Sequence, residues 1–193
     1  VAIVARAVRH GRATYGAALV RRKGSDASLV NPKRIRAAWV DPHSVAGYLL
    51  PVAHLKSTRR LDPARHFADQ TFYGSYPAAL AAVLDGKADL CAIHAQRGRP
   101  ESVVESAMQH APARAADVEL VEMTSDVPGD GVAVSRTFVE GAPAEAFRAA
   151  FLHMHKEPAG QKLLETIFVA DKFEPAPPMG YRALYAVAPK ELG

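Results

Sequence analysis

The chain opens on two largely apolar, strand-like runs. Val1 to Arg9 and Thr14 to Arg22 are extended runs on either side of His10-Gly11-Arg12-Ala13, a hairpin or a strand-to-strand crossing. Gly24 to Pro32 is a polar connector, after which the pattern changes. Ile35 to Val40 is a short apolar strand, and Asp41-Pro42 closes it because proline pushes its predecessor out of helical geometry. Leu49, Val52, Ala53 and Lys56 share one helical face, which predicts a helix over Ser44 to Lys56. The pattern then repeats. A strand over Thr71 to Tyr73 leads to a helix over Tyr76 to Leu84, with Gly86 just beyond its end. Leu90 to Ile93 and Val118 to Met123 are strands around a helix over Glu101 to His110 that carries Val103, Val104, Ala107 and Met108. Short strands alternating with helices of this length predict βαβ units, an α/β fold and a parallel, doubly wound sheet.

After a strand over Val132 to Ser135 the pattern is helical. Phe147, Ala150, Phe151 and Met154 mark one amphipathic helix, and Leu163, Leu164, Ile167 and Phe168 mark a second. Pro175 to Pro178 precedes a last helix through Tyr181 and Leu184. No strand is expected in this closing stretch, which is read as a covering layer belonging to a different lobe. Apolar faces through Phe147, Phe151, Leu163 and Ile167 call for a homo-oligomer or a second chain to cover them.

Bulk properties narrow the function classes. Of 193 residues, 49% are hydrophobic and 23% charged, a globular balance that excludes disorder and coiled coil. Apolar stretches such as Val45 to Leu55 fall short of the roughly 18 residues of a transmembrane span. The net charge of +4 is spread along the chain, and the densest basic run, Arg21-Arg22-Lys23, reads as a solvated strand end and not a nucleic-acid patch. A mild positive excess suits an anionic ligand. Cys91, the single cysteine, excludes an internal disulfide and reads as a small buried hydrophobe. The strand-like start Val1-Ala2-Ile3-Val4 reads as the interior of a longer protein, so the lack of a signal peptide carries no weight.

Four segments could carry chemistry. Asp41-Pro42-His43-Ser44-Val45-Ala46-Gly47-Tyr48 runs from a strand end into a helix, whose first turn has free N–H groups and the positive end of the dipole. Ser44 would serve equally as an ordinary N-cap with no ligand. Tyr73-Gly74-Ser75-Tyr76 repeats the arrangement with two aromatics, His94 lies just past a strand, and Asp126 to Gly131 is turn-rich. Enzyme motifs are missing: there is no GxSxG, no GxxxxGK[ST] and no HExxH. His153 and His155 point to different faces of a predicted helix, and His43 and His54 lack a carboxylate motif. No catalytic residue, metal or cofactor is expected.

Taken in order, Thr14 to Val20, Ala38 to Tyr48, Tyr73 to Leu80, Gly86 to Asp89 and Val127 to Asp130 resemble the phosphate/phosphite/phosphonate substrate-binding proteins of ABC transporters. These belong to the type 2 periplasmic-binding-protein superfamily. The resemblance implies a mixed, doubly wound sheet with an incomplete first lobe, and a ligand held in a cleft between two lobes. It divides the chain into a first crossing and connector (1–32), lobe two (33–124), and a second crossing with helices returning to lobe one (125–193). It places Tyr15, Ser44, Val45, Ala46, Gly47, Tyr76, His94 and Asp130 around a small anion: Ser44 and the N–H groups of Ala46 and Gly47 receive it, Tyr15 and Tyr76 wall it, and His94 and Asp130 contact the far end. It also implies a periplasmic or extracytoplasmic location and an ABC permease as partner. The sequence departs from the family at Val45 and Ala46, where hydroxyl residues are usual, and at Tyr76, where histidine is common. A carboxylate, or a larger ligand stacked on Tyr15 and Tyr76, fits the same description. A sensor domain of a signalling protein, or an enzyme on this fold with a cofactor attached through cysteine, are the alternatives.

Overall fold

Position-by-position burial shows which strands are central. In the runs 18–20, 37–40 and 90–93 every residue is buried, as strands covered by helices on both faces require. The computed structural model describes residues 2–135, 137, 141–176 and 181. In chain order the elements are β1 (Ala2–Val8), β2 (Thr14–Arg22), β3 (Arg36–Trp39), α1 (Leu50–His54), α2 (Pro63–His66), β4 (Asp69–Phe72), α3 (Tyr76–Leu84) and β5 (Leu90–Ala95). They continue with α4 (Glu101–His110), β6 (Val118–Met123), β7 (Val127–Pro128), β8 (Gly131–Val134), α5 (Ala142–His153), α6 (Pro158–Leu163) and β9 (Lys172–Pro175). Wide turns Val45–Leu49 and Leu55–Arg59 extend α1 at both ends, and Leu164–Phe168 extends α6. The chain forms two compact units, one of residues 16–126 and one of residues 2–15 with the described part of 127–181.

In the 16–126 unit the strands stand in the order β4-β3-β5-β2-β6. The βαβ neighbours β3, β4 and β5 are parallel, as expected, but β2 runs antiparallel to both β5 and β6, so the sheet is mixed. Alternate residues feed two cores. Ala18, Val20, Ala38, Val40, Cys91 and Ile93 pack with Leu80, Val83 and Leu84 of α3 and Val103 of α4. Leu19, Ala37, Trp39, Leu90 and Ala92 pack on the other face with Leu55 and, more peripherally, Tyr48 and Val52. Burying an apolar side chain of this size contributes roughly 1.5–3 kcal/mol, so these alternating positions fix the register of the sheet.

Three elements differ in their bounds from expectation. The helical run starting at Val45 continues to Arg59, past Lys56, and is held at its far end by Glu122, which meets both His54 Nε2 (2.8 Å) and Arg59 Nε (3.0 Å). β5 runs to Ala95, so His94 lies within the strand and not in a loop after it. β4 is also shifted, to Asp69–Phe72 from 71–73; as a polar edge strand it carries little apolar signal.

The other unit holds a three-stranded antiparallel sheet in the order β8-β1-β9. β9 corrects the expectation of a strand-free closing stretch. Its four residues, Lys-Phe-Glu-Pro, contain one core side chain, Phe173, too little for a period-two pattern. Phe173 meets the rings of Phe151 and Phe168 at 5.0 and 5.1 Å, and with Ala5, Ala7 and Leu164 they form this unit's core. Phe147, Leu163 and Ile167 remain largely exposed, and a chain covering them stays a proposal. The expected last helix through Leu184 lies outside the described residues apart from Tyr181.

Candidate functional site

The turn after β3 is shaped by Gly47, eight residues beyond the strand, and by Pro51, four further on. Pro51 has no N–H to give to the carbonyl four residues before it, that of Gly47. The Gly47 carbonyl instead accepts the Val40 N–H at 3.3 Å, tying the helix start to the strand end. This approach leaves no room for a side chain: a Cβ on Gly47 would overlap Val40 Cγ2 and lie 2.6 Å from Ser44 Oγ. Asp41 Oδ1 accepts the His43 N–H at 2.8 Å and stabilises the loop that presents Ser44.

Ser44 is the N-cap, its oxygen accepting the Gly47 N–H at 3.1 Å. That bond uses one of the two N–H groups expected to receive an anion; Ala46 is itself buried. The Ser44 O–H remains, and its oxygen lies 3.5 Å from the Tyr76 hydroxyl. Tyr76 opens α3, positioned by Gly74 in the left-handed region (φ 80°) and by the Ser75 cap, whose Oγ accepts the Ala78 N–H at 3.3 Å. Burial pushes the Tyr76 hydroxyl above its ordinary pKa, with Asp41 adding to the rise and the Ser44 hydrogen bond opposing it, so the group is a neutral donor at neutral pH.

Two histidines frame the Tyr76 ring. His110, the last residue of α4, stacks on it at 4.9 Å with an interplanar angle of 11°. His94 meets it edge-on at 5.9 Å, and meets His110 edge-on at 5.3 Å. His94 Nδ1 lies 3.1 Å from the hydroxyl of the wholly buried Ser106 and 3.4 Å from His110 Nε2. Desolvation holds His110 below the ordinary histidine pKa. Among the residues expected at the site, the structure therefore gathers Ser44, Gly47, Tyr76 and His94, with Val45 and Ala46 in the same turn. Tyr15 and Asp130 belong to the other unit, where Tyr15 faces Val127 across β2 and β7, and Asp130 pairs with Arg9 at 2.7 Å.

Ser106 and His110 were not singled out from the sequence. Their i, i+4 spacing on a predicted helix places them on one face, which is the signal that could have found them. Cys91 lies wholly inside the first core, and burial pushes its thiol well above the ordinary range, which disfavours attachment of a cofactor through a thiolate. No group of three His, Cys, Asp or Glu side chains among the described residues could hold a metal ion, and no described helix is long and apolar enough to cross a membrane.

One family model, that of ABC-transporter phosphonate periplasmic substrate-binding proteins, matches residues 1–181. The chain belongs to this family. Its members are transport binding proteins, so the plain reading is a solute-binding role. Sequence comparison with curated proteins finds no match. Among solved structures, the chain is similar to a Xanthomonas citri protein bound to ATP, at 23% identity and a TM-score of 0.76, covering 96% of this chain and 69% of that one. It is similar to a binding-protein component of a Pseudomonas aeruginosa ABC phosphonate transporter, at 21% identity and a TM-score of 0.73, covering 95% and 60%. PhnD1 of Prochlorococcus marinus in complex with methylphosphonate gives 22% identity and a TM-score of 0.69, covering 96% and 70%. These likenesses establish the type 2 periplasmic-binding-protein fold.

Proposed function

We propose that this chain captures a small oxyanion at the Ser44–Tyr76 site for uptake by an ABC transporter in an extracytoplasmic compartment. The observation that carries the reading is the pair of hydroxyls, 3.5 Å apart, at the start of a helical run. Both can donate to one anionic group, and the first turn adds the N–H groups of Val45 and Ala46, which have no intrahelical acceptor. The ligands of two structures of this fold, methylphosphonate and ATP, both carry tetrahedral phosphorus–oxygen groups, which favours a phosphonate or phosphate over a carboxylate. Tyr15 and Asp130 enter the proposal through the family resemblance alone, and their replacement by Phe and Asn tests them.

Two hydroxyl donors replace the larger set usual in the family, and each charge-assisted hydrogen bond contributes roughly 1.5–3 kcal/mol. The expected affinity for a simple phosphonate is therefore modest. Isothermal calorimetry with methylphosphonate, phosphate and acetate tests the class. Saturable binding of the first two with weaker acetate binding supports it. Heat from acetate alone, or from none of the three, overturns it. A sensor role on the same fold would leave these results unchanged, and whether ligand binding supports uptake through an ABC permease distinguishes the two.

A further inference from the structure

We propose that His110 is a further ligand-recognition residue: with His94 it forms a two-imidazole pair behind Tyr76 that takes up one proton when an anion binds beside Ser44. The inference rests on the oxyanion reading above and extends it to residues that reading does not use. Nδ1 of His94 has one lone pair or one hydrogen to share, yet two polar neighbours reach it, the Ser106 hydroxyl at 3.1 Å and His110 Nε2 at 3.4 Å. His110 can donate Nε2–H to His94 Nδ1 both as the neutral tautomer and as an imidazolium, so the bond survives proton uptake at the other ring nitrogen, after which the pair as a whole carries a single positive charge. That charge would lie 4.9 Å from the centroid of the parallel Tyr76 ring, within the range where an aromatic face stabilises a cation.

Desolvation opposes the charge at His110 in the free protein, so that ring is mainly neutral at neutral pH. An anion at the far end of the same tyrosine supplies the missing counter-charge, and a proton from solvent completes the pair. The other charged groups on the elements packed against α4 are engaged elsewhere. Arg114 pairs with Asp85 and Asp117, Glu119 with Arg21, Glu122 with His54 and Arg59, and Glu101 and Glu105 with Arg99. Asp41 acts on Tyr76 from the loop before the helix. The Ser44 site would thus favour anions over neutral solutes of the same shape, and favour them more as pH falls.

The test follows the imidazole C–H resonances by NMR between about pH 5 and about pH 8, with and without saturating methylphosphonate, alongside calorimetry on the same samples. His110 is assigned by the signal lost in His110→Phe, which keeps an aromatic ring against Tyr76. The expected result is a His110 midpoint raised by about one unit on binding, and by linkage about tenfold tighter binding at the acid end in wild type but not in His110→Phe. Calorimetric binding with an unmoved His110 midpoint, or an equal pH dependence in the variant, overturns this proposal and leaves the oxyanion reading intact. No methylphosphonate binding at any pH overturns both.

Discussion

Two helices in the 16–126 unit begin the same way: a strand ends, a serine caps, and an aromatic follows within a turn. At Ser75 the cap accepts the Ala78 N–H, Gly74 before it has open space around it, and the arrangement starts α3 and sets Tyr76 in its first turn without the serine itself facing the site. At Ser44 the cap accepts the Gly47 N–H, but Gly47 is wedged against Val40 and the serine oxygen faces a tyrosine that opens the other helix. Locally the two starts are alike. What separates them is what arrives from elsewhere: Tyr76 from 32 residues on, backed by His94 and His110. A capping serine becomes a candidate binding residue through that convergence and not through its own turn.

The glycines give the largest expected contrast. Gly47→Ala forces a methyl into Val40 and Ser44, and should lower stability by about 3 kcal/mol, the upper part of the usual overpacking range, while abolishing anion binding. Gly74→Ala meets no atoms but must hold a left-handed conformation, at a cost of about 1–2 kcal/mol, with binding retained. Urea denaturation and calorimetry on both variants read the two effects. Equal loss of binding would remove the distinction between the two turns.

Tyr76→Phe comes next. It keeps the stack on His110 and deletes one donor, so methylphosphonate affinity should fall about tenfold with little change in the urea midpoint. Restoring a family-like hydroxyl has a smaller effect, and its sign depends on position. Val45 is half-buried, and Val45→Thr should raise affinity about threefold in the same titration. Ala46 is buried, so Ala46→Ser should add no affinity and should cost about 1 kcal/mol of stability in urea denaturation.

The smallest effect is a slope with pH. His110 has a depressed pKa in the folded chain, so its contribution to stability is present above the ordinary histidine value and lost as pH falls through the folded value. Stability of the ligand-free wild type should decline over that window by less than one proton's worth of slope. His110→Phe should be flatter, as measured by urea midpoints at a series of pH values.

Much of this arrangement could be read from the sequence, and the exceptions share a cause. Continuous apolar runs at Ala37 to Val40 and Leu90 to Ile93 announce central strands because burial on both faces leaves no polar position to confuse the period. Ser44 stands out because Asp41-Pro42 marks a strand end directly before a helix. β9 is missed because four residues with one apolar side chain carry no period, and its partner β1 lies at the other end of the chain. The antiparallel course of β2 depends on pairing with β5 and β6, some seventy to one hundred residues on in sequence, which local periodicity does not encode. His110 escapes notice for the same reason: its stacking partner is set by how α3 and α4 pack.

Methylphosphonate affinity, measured by calorimetry on wild type, Ser44→Ala and Ser75→Ala, tests the central claim most directly. Each substitution removes a cap and should cost about 1 kcal/mol of stability. The account predicts that Ser44→Ala weakens binding at least about tenfold, through loss of a donor to the anion, while Ser75→Ala stays within about twofold of wild type. Equal affinities in all three proteins, or a larger loss in Ser75→Ala, would contradict it.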